Sequence, residues 1–169
     1  VNEARENAIM HAKAAGLEDD GVSLAEGGSG ATAYGDSLAV YLAFAIDRST
    51  NTLCSIARWT PDRQQTVTAF SRQAISMTWD FPEVNPFGGA AGDYAVSISG
   101  VIKGIPDING IAGNATQADA ASQSLSHSKV ISTDPPYYDN IGYADLSDFF
   151  MLGCAARYVT FIRPCSARW

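Results

Sequence analysis

The chain has 169 residues, of which 46% are hydrophobic, and a formal net charge of −7. This length supports one domain with its own apolar core, and the composition excludes a chain that is disordered throughout. The charge has the wrong sign for a free-standing nucleic-acid binder, which needs a basic face for the phosphates. Either the Lys and Arg residues cluster locally, or such a surface lies elsewhere.

The first predicted elements are two helices separated by a turn. Residues 2–15 have the composition of a helix, and Gly16 is placed to end it. The glycines of residues 27–30 then predict a turn. Residues 36–46 give the strongest helical pattern, with apolar side chains wide enough around the axis to predict a largely buried helix.

The middle of the chain alternates short elements with loops. A proline before residues 62–72 predicts a helix there, and residues 79–92 predict a loop because of their prolines and glycines. Residues 93–102 predict a further helix. Thr116 and the apolar run 130–133 predict two strands.

Cysteine and histidine positions bear on metals and on the compartment. The chain has three cysteines, Cys54, Cys154 and Cys165, without C-x-x-C spacing, which argues against a zinc ribbon and suits a reducing cytoplasm. His11 and His127 have no partners at metal-ligand spacing, so no metal is expected. No apolar run approaches the length of about 18 residues that a membrane span needs, and no membrane partner is predicted. The sequence gives no signal for the oligomeric state.

The most informative motif is Asp134-Pro135-Pro136-Tyr137, directly after the predicted strand 130–133. Its two prolines fix two φ angles and remove two N–H donors. The residue before each proline is biased to extended geometry. The sequence therefore predicts a stiff loop that holds a carboxylate, a backbone carbonyl and an aromatic ring around one small planar group.

This motif resembles the catalytic loop of amino-group DNA methyltransferases, which methylate adenine N6 or cytosine N4. The resemblance extends over residues 1–150 and is carried by residues 31–36, 41–45, 70–75, 77–81 and 132–150. These flanks are similar to one subgroup, the large prokaryotic adenine-specific methylases of the DUF1156 type.

The resemblance implies an α/β fold that is part of a Rossmann-like, S-adenosylmethionine-dependent methyltransferase sheet with preceding helices. It implies S-adenosylmethionine as cofactor, DNA as partner and adenine N6 as the methylated atom. Asp134 and the Pro135 carbonyl would accept the two N–H bonds of the amino group. Pro136 would stiffen the loop, and Tyr137 would stack on a base rotated out of the duplex.

Further residues around the loop have two interpretations each. Tyr138, Asn140 and Tyr143 are predicted to line the base pocket or touch the DNA strand. The alternative is a solvated loop in which Asp145 or Ser147 caps the next helix.

Two acidic segments have the pattern of a cofactor contact. Asp119 resembles the acidic residue that contacts the cofactor adenine; the alternative is an aspartate that caps a turn. Residues 26–30 have the acidic-x-Gly-x-Gly order of a cofactor loop. Residues 22–25, which precede them, give only a weak strand signal, however, and this favours a flexible turn.

The amino-acid sequence after residue 150 departs from the pattern of the resembling family. A shift of the reading frame by one base near codon 151 restores a sequence close to that pattern. The sequence therefore predicts that residues 1–150 are part of a methyltransferase domain and that residues 151–169 are a frameshifted tail. DNA would then be met through the full-length enzyme. Two alternatives stay open: a catalytically inactive fragment, and a relative that methylates RNA or protein amides.

Overall fold

A computed structural model gives the fold of most of the chain. It describes residues 1–71, 74–90, 92–105, 116, 118–134 and 142–158, the last eight of these by backbone alone. The helices are α1 (Asn2–Ala14), α2 (Ala31–Thr50), α3 (Tyr94–Ile102) and α4 (Tyr143–Tyr158). Short 3₁₀ turns span Leu24–Glu26, Pro61–Arg63 and Ala69–Ser71, and the two strands are β1 (Arg58–Thr60) and β2 (Gln65–Val67).

Helix α2 lies at the centre of the described residues. It packs against α1, α3 and α4, and against the Leu24–Glu26 turn. Where the structure describes burial, the buried apolar side chains are all alanines: Ala8, Ala12, Ala31, Ala33, Ala39, Ala43, Ala45, Ala57 and Ala69. Small side chains let helix axes approach closely, and Gly35 takes this furthest. A Cβ there would collide with the Ile9 side chain and lie 3.1 Å from the Arg5 carbonyl oxygen.

A buried ion pair joins α1, the Leu24–Glu26 turn and α2. Asp36 is 1% exposed. Its Oδ1 accepts a hydrogen bond from Arg5 Nε at 2.6 Å, and its Oδ2 accepts one from the Leu24 backbone N–H at 2.9 Å. Both carboxylate oxygens therefore have partners, which a buried charge requires.

The start of α2 is capped from a distance along the chain. Gly30 stands at the N-cap and offers no side chain. Asp19 replaces it, because its carboxylate accepts from the Thr32 N–H at 2.9 Å and from the Lys13 ammonium at 2.7 Å. The Glu18 carbonyl accepts from the Ala31 N–H at 3.0 Å. The nearby Lys13 charge, and then the Thr32 N–H, lower the pKa of Asp19.

Three of the expected helices are confirmed. Residues 2–15 form α1, residues 36–46 lie inside the longer α2, and residues 93–102 form α3. Asp93 is the N-cap of α3 and accepts from the Ala95 N–H at 2.6 Å. The Gly89 N–H, then that of Ala95, lower the pKa of Asp93. The expected loop at 79–92 is free of helix and strand wherever the structure describes it.

The helix expected at residues 62–72 is wrong. The chain forms an antiparallel ribbon instead, with β1 and β2 joined by the Pro61–Arg63 turn. Gln64 ends that turn in the left-handed region, at φ 49° and ψ 44°, and a helix cannot continue through it. The β-branched Thr66 and Val67 then suit a strand.

The strand expected at residues 130–133 is not formed, nor is one at Thr116. Val130 is fully exposed and Ile131 is exposed as well. A strand needs a hydrogen-bonded neighbour, and the β1–β2 pair is the one sheet among the described residues. The Rossmann-like sheet expected from the resemblance is not among them. No helix in the described ranges is long and apolar enough to cross a membrane.

The buried ion pair predicts a large effect of removing its cation. Arg5→Leu leaves the Asp36 carboxylate buried without its charge partner, so we expect a loss of about 3–5 kcal/mol in the free energy of unfolding. Denaturant titration measures it. The double variant Arg5→Leu, Asp36→Leu should recover much of the loss. Lys13→Leu, which breaks a more exposed pair, is the control, and an equal effect in both single variants would contradict the prediction.

The lowered pKa of Asp19 predicts an acid-dependent contribution to stability. Its folded-state pKa lies below the value of about 3.9 for an unfolded aspartate, so its stabilising effect is complete above that value and is lost as the pH falls below it. The difference in unfolding free energy between wild type and Asp19→Asn should be constant from about pH 5 to 7 and shrink below about pH 4. Urea titrations across this range test it.

The cation behind this shift offers a control for the Asp19 experiment. Lys13→Gln removes the largest cause of the lowered pKa. In that background, the dependence of the Asp19→Asn effect on acid should weaken. A difference between wild type and Asp19→Asn that does not change with pH would refute the assignment.

Candidate functional site

The described residues include one member of the Asp-Pro-Pro-Tyr motif. Asp134 is exposed and stands outside helix and strand. The other predicted site residues of the loop lie outside the described residues: Pro135, Pro136, Tyr137, Tyr138 and Asn140. Asp134 is thus at the surface, which a carboxylate that meets a macromolecular substrate requires.

Helix α4 begins at Tyr143, six residues after Tyr137 of the Asp-Pro-Pro-Tyr motif. Tyr143 is its first residue and is 53% exposed. Asp145 lies in the first turn, where a carboxylate is favoured by the helix dipole. The Ser147 hydroxyl donates to the Ala144 carbonyl at 3.0 Å, so Ser147 does not cap the helix start. The exposed Tyr143 ring is therefore compatible with both its substrate role and a solvated position.

Three phenylalanine rings hold α4 against the middle of the chain. The Phe70 ring centroid lies 5.1 Å from that of Phe149, edge to face, and 5.3 Å from that of Phe150. Phe149 and Phe150 themselves are 5.2 Å apart and nearly perpendicular. Such edge-to-face pairs stabilise beyond their buried area. This cluster fixes α4 on the Ala69–Ser71 turn.

A groove lies beside this cluster, and we call it the α4 groove. It has a volume of about 510 Å³ and is lined by Ala74, Ile75, Gly142, Asp145, Leu146, Asp148 and Phe149. That volume falls within the range of small-molecule sites. Ile75, Leu146 and Phe149 supply apolar surface, while Asp145 and Asp148 supply acceptors for N–H donors. The groove suits a planar group that carries N–H donors better than it suits a phosphate.

Two stretches that carry the family resemblance meet at the α4 groove. Phe70, Ala74 and Ile75 come from the stretch 70–75, and the opposite wall comes from 142–149. Both stretches carry the resemblance in the sequence, but the resemblance does not predict that they contact each other. The spacing of Leu146 and Phe149, three residues apart on one helix, was the signal available for it.

Asp119 caps a turn in the structure. Its Oδ1 accepts from the Ala121 N–H at 2.9 Å, and its Oδ2 accepts from the Ser122 hydroxyl at 3.0 Å. These two bonds, the Ala121 N–H first, lower the pKa of Asp119. Asp119 is exposed and does not line the α4 groove. The turn-capping interpretation therefore describes its contacts, and the cofactor role stays a prediction.

The glycine-rich residues 27–30 form a turn, as the sequence favoured. The residues before them are the 3₁₀ turn Leu24–Glu26 rather than a strand. A phosphate-binding loop needs free backbone N–H groups. Here Gly27 donates to the Leu24 carbonyl, Gly28 to the Ser23 carbonyl, and Ser29 to the Asp20 carboxylate. The N–H groups of Gly27, Gly28 and Ser29 are therefore already used within the protein.

A second and larger groove, of about 640 Å³, runs between α1 and α2. It is lined by Ala4, Asn7, Ala8, His11, Ala12, Ala15, Leu17, Tyr34 and Leu38. This lining is mostly small and apolar and includes no carboxylate. Among the residues that the structure describes, no group of three His, Cys, Asp or Glu side chains is placed to hold a metal ion. The α4 groove has two carboxylates in its wall and is therefore the better candidate for a reactive site.

Comparison with known proteins gives no relative for this chain. No protein-family model matches it, and no curated protein or solved structure gives a significant match.

Proposed function

We propose that this chain carries the catalytic loop of an S-adenosylmethionine-dependent methyltransferase that acts on an exocyclic amino group in DNA, adenine N6. The observation that carries the proposal is Asp134-Pro135-Pro136-Tyr137 within the matching stretch 132–150. The surface position of Asp134 supports it, because the target amino group reaches the protein from solvent.

The proposed chemistry is positioning and electrostatics. An amino group conjugated to a purine ring is a poor nucleophile. Asp134 and the Pro135 carbonyl accept its two N–H bonds, which draws the nitrogen toward tetrahedral geometry and frees its lone pair. The cofactor supplies an electrophilic methyl group. Asp134 would hold the amino nitrogen toward that methyl group, and Asp134 or water would accept the proton that the nitrogen loses when it is methylated.

The α4 groove, which is lined by Gly142 and the first turns of α4, supports this proposal as a candidate position for the target base. Its apolar wall suits the face of an aromatic ring. Tyr143 adds an exposed ring at the start of α4. Under this proposal Asp119 contacts the cofactor adenine through lone pairs that its turn leaves free.

A second candidate is a methyltransferase fragment that folds without binding cofactor. The occupied donors of Gly27, Gly28 and Ser29 favour it, because a cofactor phosphate or carboxylate needs several free N–H groups and these three already donate within the protein. Calorimetry with S-adenosylmethionine separates the two candidates. Micromolar binding by the 169-residue chain would exclude the fragment that binds no cofactor.

Asp134 is expected to be essential for transfer and dispensable for cofactor binding. In the protein with its frame restored after residue 150, Asp134→Ala should lower the rate by at least about 100-fold, about 3 kcal/mol of transition-state stabilisation. Transfer of a labelled methyl group to DNA measures the rate, and calorimetry checks the cofactor affinity. A rate within threefold of wild type would remove Asp134 from the mechanism.

Tyr137 is expected to act through its ring and not its hydroxyl. In the same protein Tyr137→Phe should keep most of the activity, because stacking needs only the flat face. Tyr137→Ala should weaken binding of DNA with an unpaired target base by about 1–3 kcal/mol. Equal damage from both substitutions would instead identify the hydroxyl as the working group.

A further inference from the structure

The β1–β2 ribbon has an exposed, polar tip. Its strands pair with Arg58 opposite Val67, Trp59 opposite Thr66 and Thr60 opposite Gln65. The ribbon contacts the helices little; its main contacts run between its own strands. The side chains from Pro61 to Gln65 at its tip are all exposed. The tip is therefore open to a partner.

The ribbon departs from the acidic balance of the chain. Residues 51–71 contain Arg58, Arg63 and a single acidic residue, Asp62, whereas the whole chain carries a net charge of −7. Two cations elsewhere in the described part, Arg5 and Lys13, are held by carboxylates. The described residues show no such ion pair for Arg58 or Arg63. Residues 51–71 thus carry a net charge of +1, from two arginines and one aspartate, within a chain of net charge −7, and a nucleic-acid surface needs local positive charge.

Gln64 adds a second feature at the tip. It is exposed and adopts φ 49°, the left-handed region where glycine is the less strained residue. The chain places a long amide side chain there instead. A glutamine amide offers both a donor and an acceptor, the pair of groups that reads an adenine edge. Gln65 follows it on β2 and is exposed too.

The base of the ribbon is fixed to the same elements as the α4 groove. Ala57 and Ala69, which flank the ribbon, are buried. The Ala69 N–H donates to the Asn51 carbonyl at 2.8 Å, directly after α2. Phe70 comes next and packs on Phe149 of α4. The residues directly after the ribbon therefore connect it to α4, which lines the α4 groove.

We propose that the ribbon is a DNA-reading element that enters the major groove, with Arg58 and Arg63 on phosphates and with Gln64 and Gln65 at base edges. This rests on the proposed function for the identity of the nucleic acid. A two-stranded ribbon fits the major groove, which is about 12 Å wide. The ribbon determines which sequence the motif loop meets.

The test is binding of a labelled DNA duplex of random sequence without cofactor, followed by fluorescence anisotropy at several salt concentrations. Arg58→Gln with Arg63→Gln should lower affinity at least about tenfold and reduce the slope of log K against log salt by about 1.8, or 0.9 per phosphate contact. Lys103→Gln with Lys129→Gln removes the same charge from exposed positions outside the ribbon and should change affinity less than twofold. Equal effects of the two pairs, or no binding by wild type, would overturn the proposal.

Gln64→Gly separates recognition from folding. Glycine suits φ 49°, so the melting temperature should stay the same or rise, while the sequences selected from a random duplex pool should change. An unchanged selection would overturn the base-edge role of Gln64. Helix content by circular dichroism checks that every variant is folded.

The same assay distinguishes this inference from the proposed function. DNA binding that depends on the ribbon arginines, in a frame-restored protein that transfers no methyl group, would refute the methyltransferase and keep the ribbon. Methyl transfer with a KM for DNA that is unchanged by the arginine substitutions would refute the ribbon and keep the methyltransferase.

Discussion

The carboxylate of Asp36 is the interaction on which the arrangement of the described helices depends. It lies inside α2, and its two oxygens bind α1 through Arg5 and the Leu24–Glu26 turn through a backbone N–H. A buried carboxylate tolerates little displacement of its partners, because each lost bond leaves a charge without compensation. The pair therefore sets the register between α1 and α2. Helices α3 and α4 then pack on α2.

An alanine core explains why polar contacts matter so much here. Alanines fill the closest contacts, and each buries less apolar area than a leucine or phenylalanine would. Many large apolar side chains stay at the surface, with Trp79 85% exposed. Because less apolar area is buried at each contact, hydrogen bonds and ion pairs determine how the helices pack. The Asp36 pair and the distant Asp19 cap of α2 are such contacts.

Local signals in the sequence predicted what local physics determines. Helices α1, α2 and α3 follow from periodicity, helix-forming residues and the Asp93 cap, all of which act within a few residues. The sequence does not predict the ribbon because Pro61 starts a 3₁₀ turn as readily as a helix, and because the left-handed residue that ends this turn is Gln64 rather than a glycine or asparagine that would signal it. The apolar run 130–133 shows the converse: its composition favours a strand, but the described residues give it no neighbour to pair with. Of the candidate site, the exposed Asp134 follows from its motif, whereas the meeting of Phe70 with α4 depends on tertiary packing.

The position of the candidate site depends on residues before 151. The ring contacts that hold α4 come from Phe149 and Phe150, and the groove walls come from residues 74–75 and 142–149. Phe70 packs against α4 through Phe149 and Phe150, and it follows closely after the end of β2 in the sequence. A change at Phe70 therefore acts on the groove and on the ribbon together. This shared support links the element proposed to read DNA to the groove proposed to hold the target base.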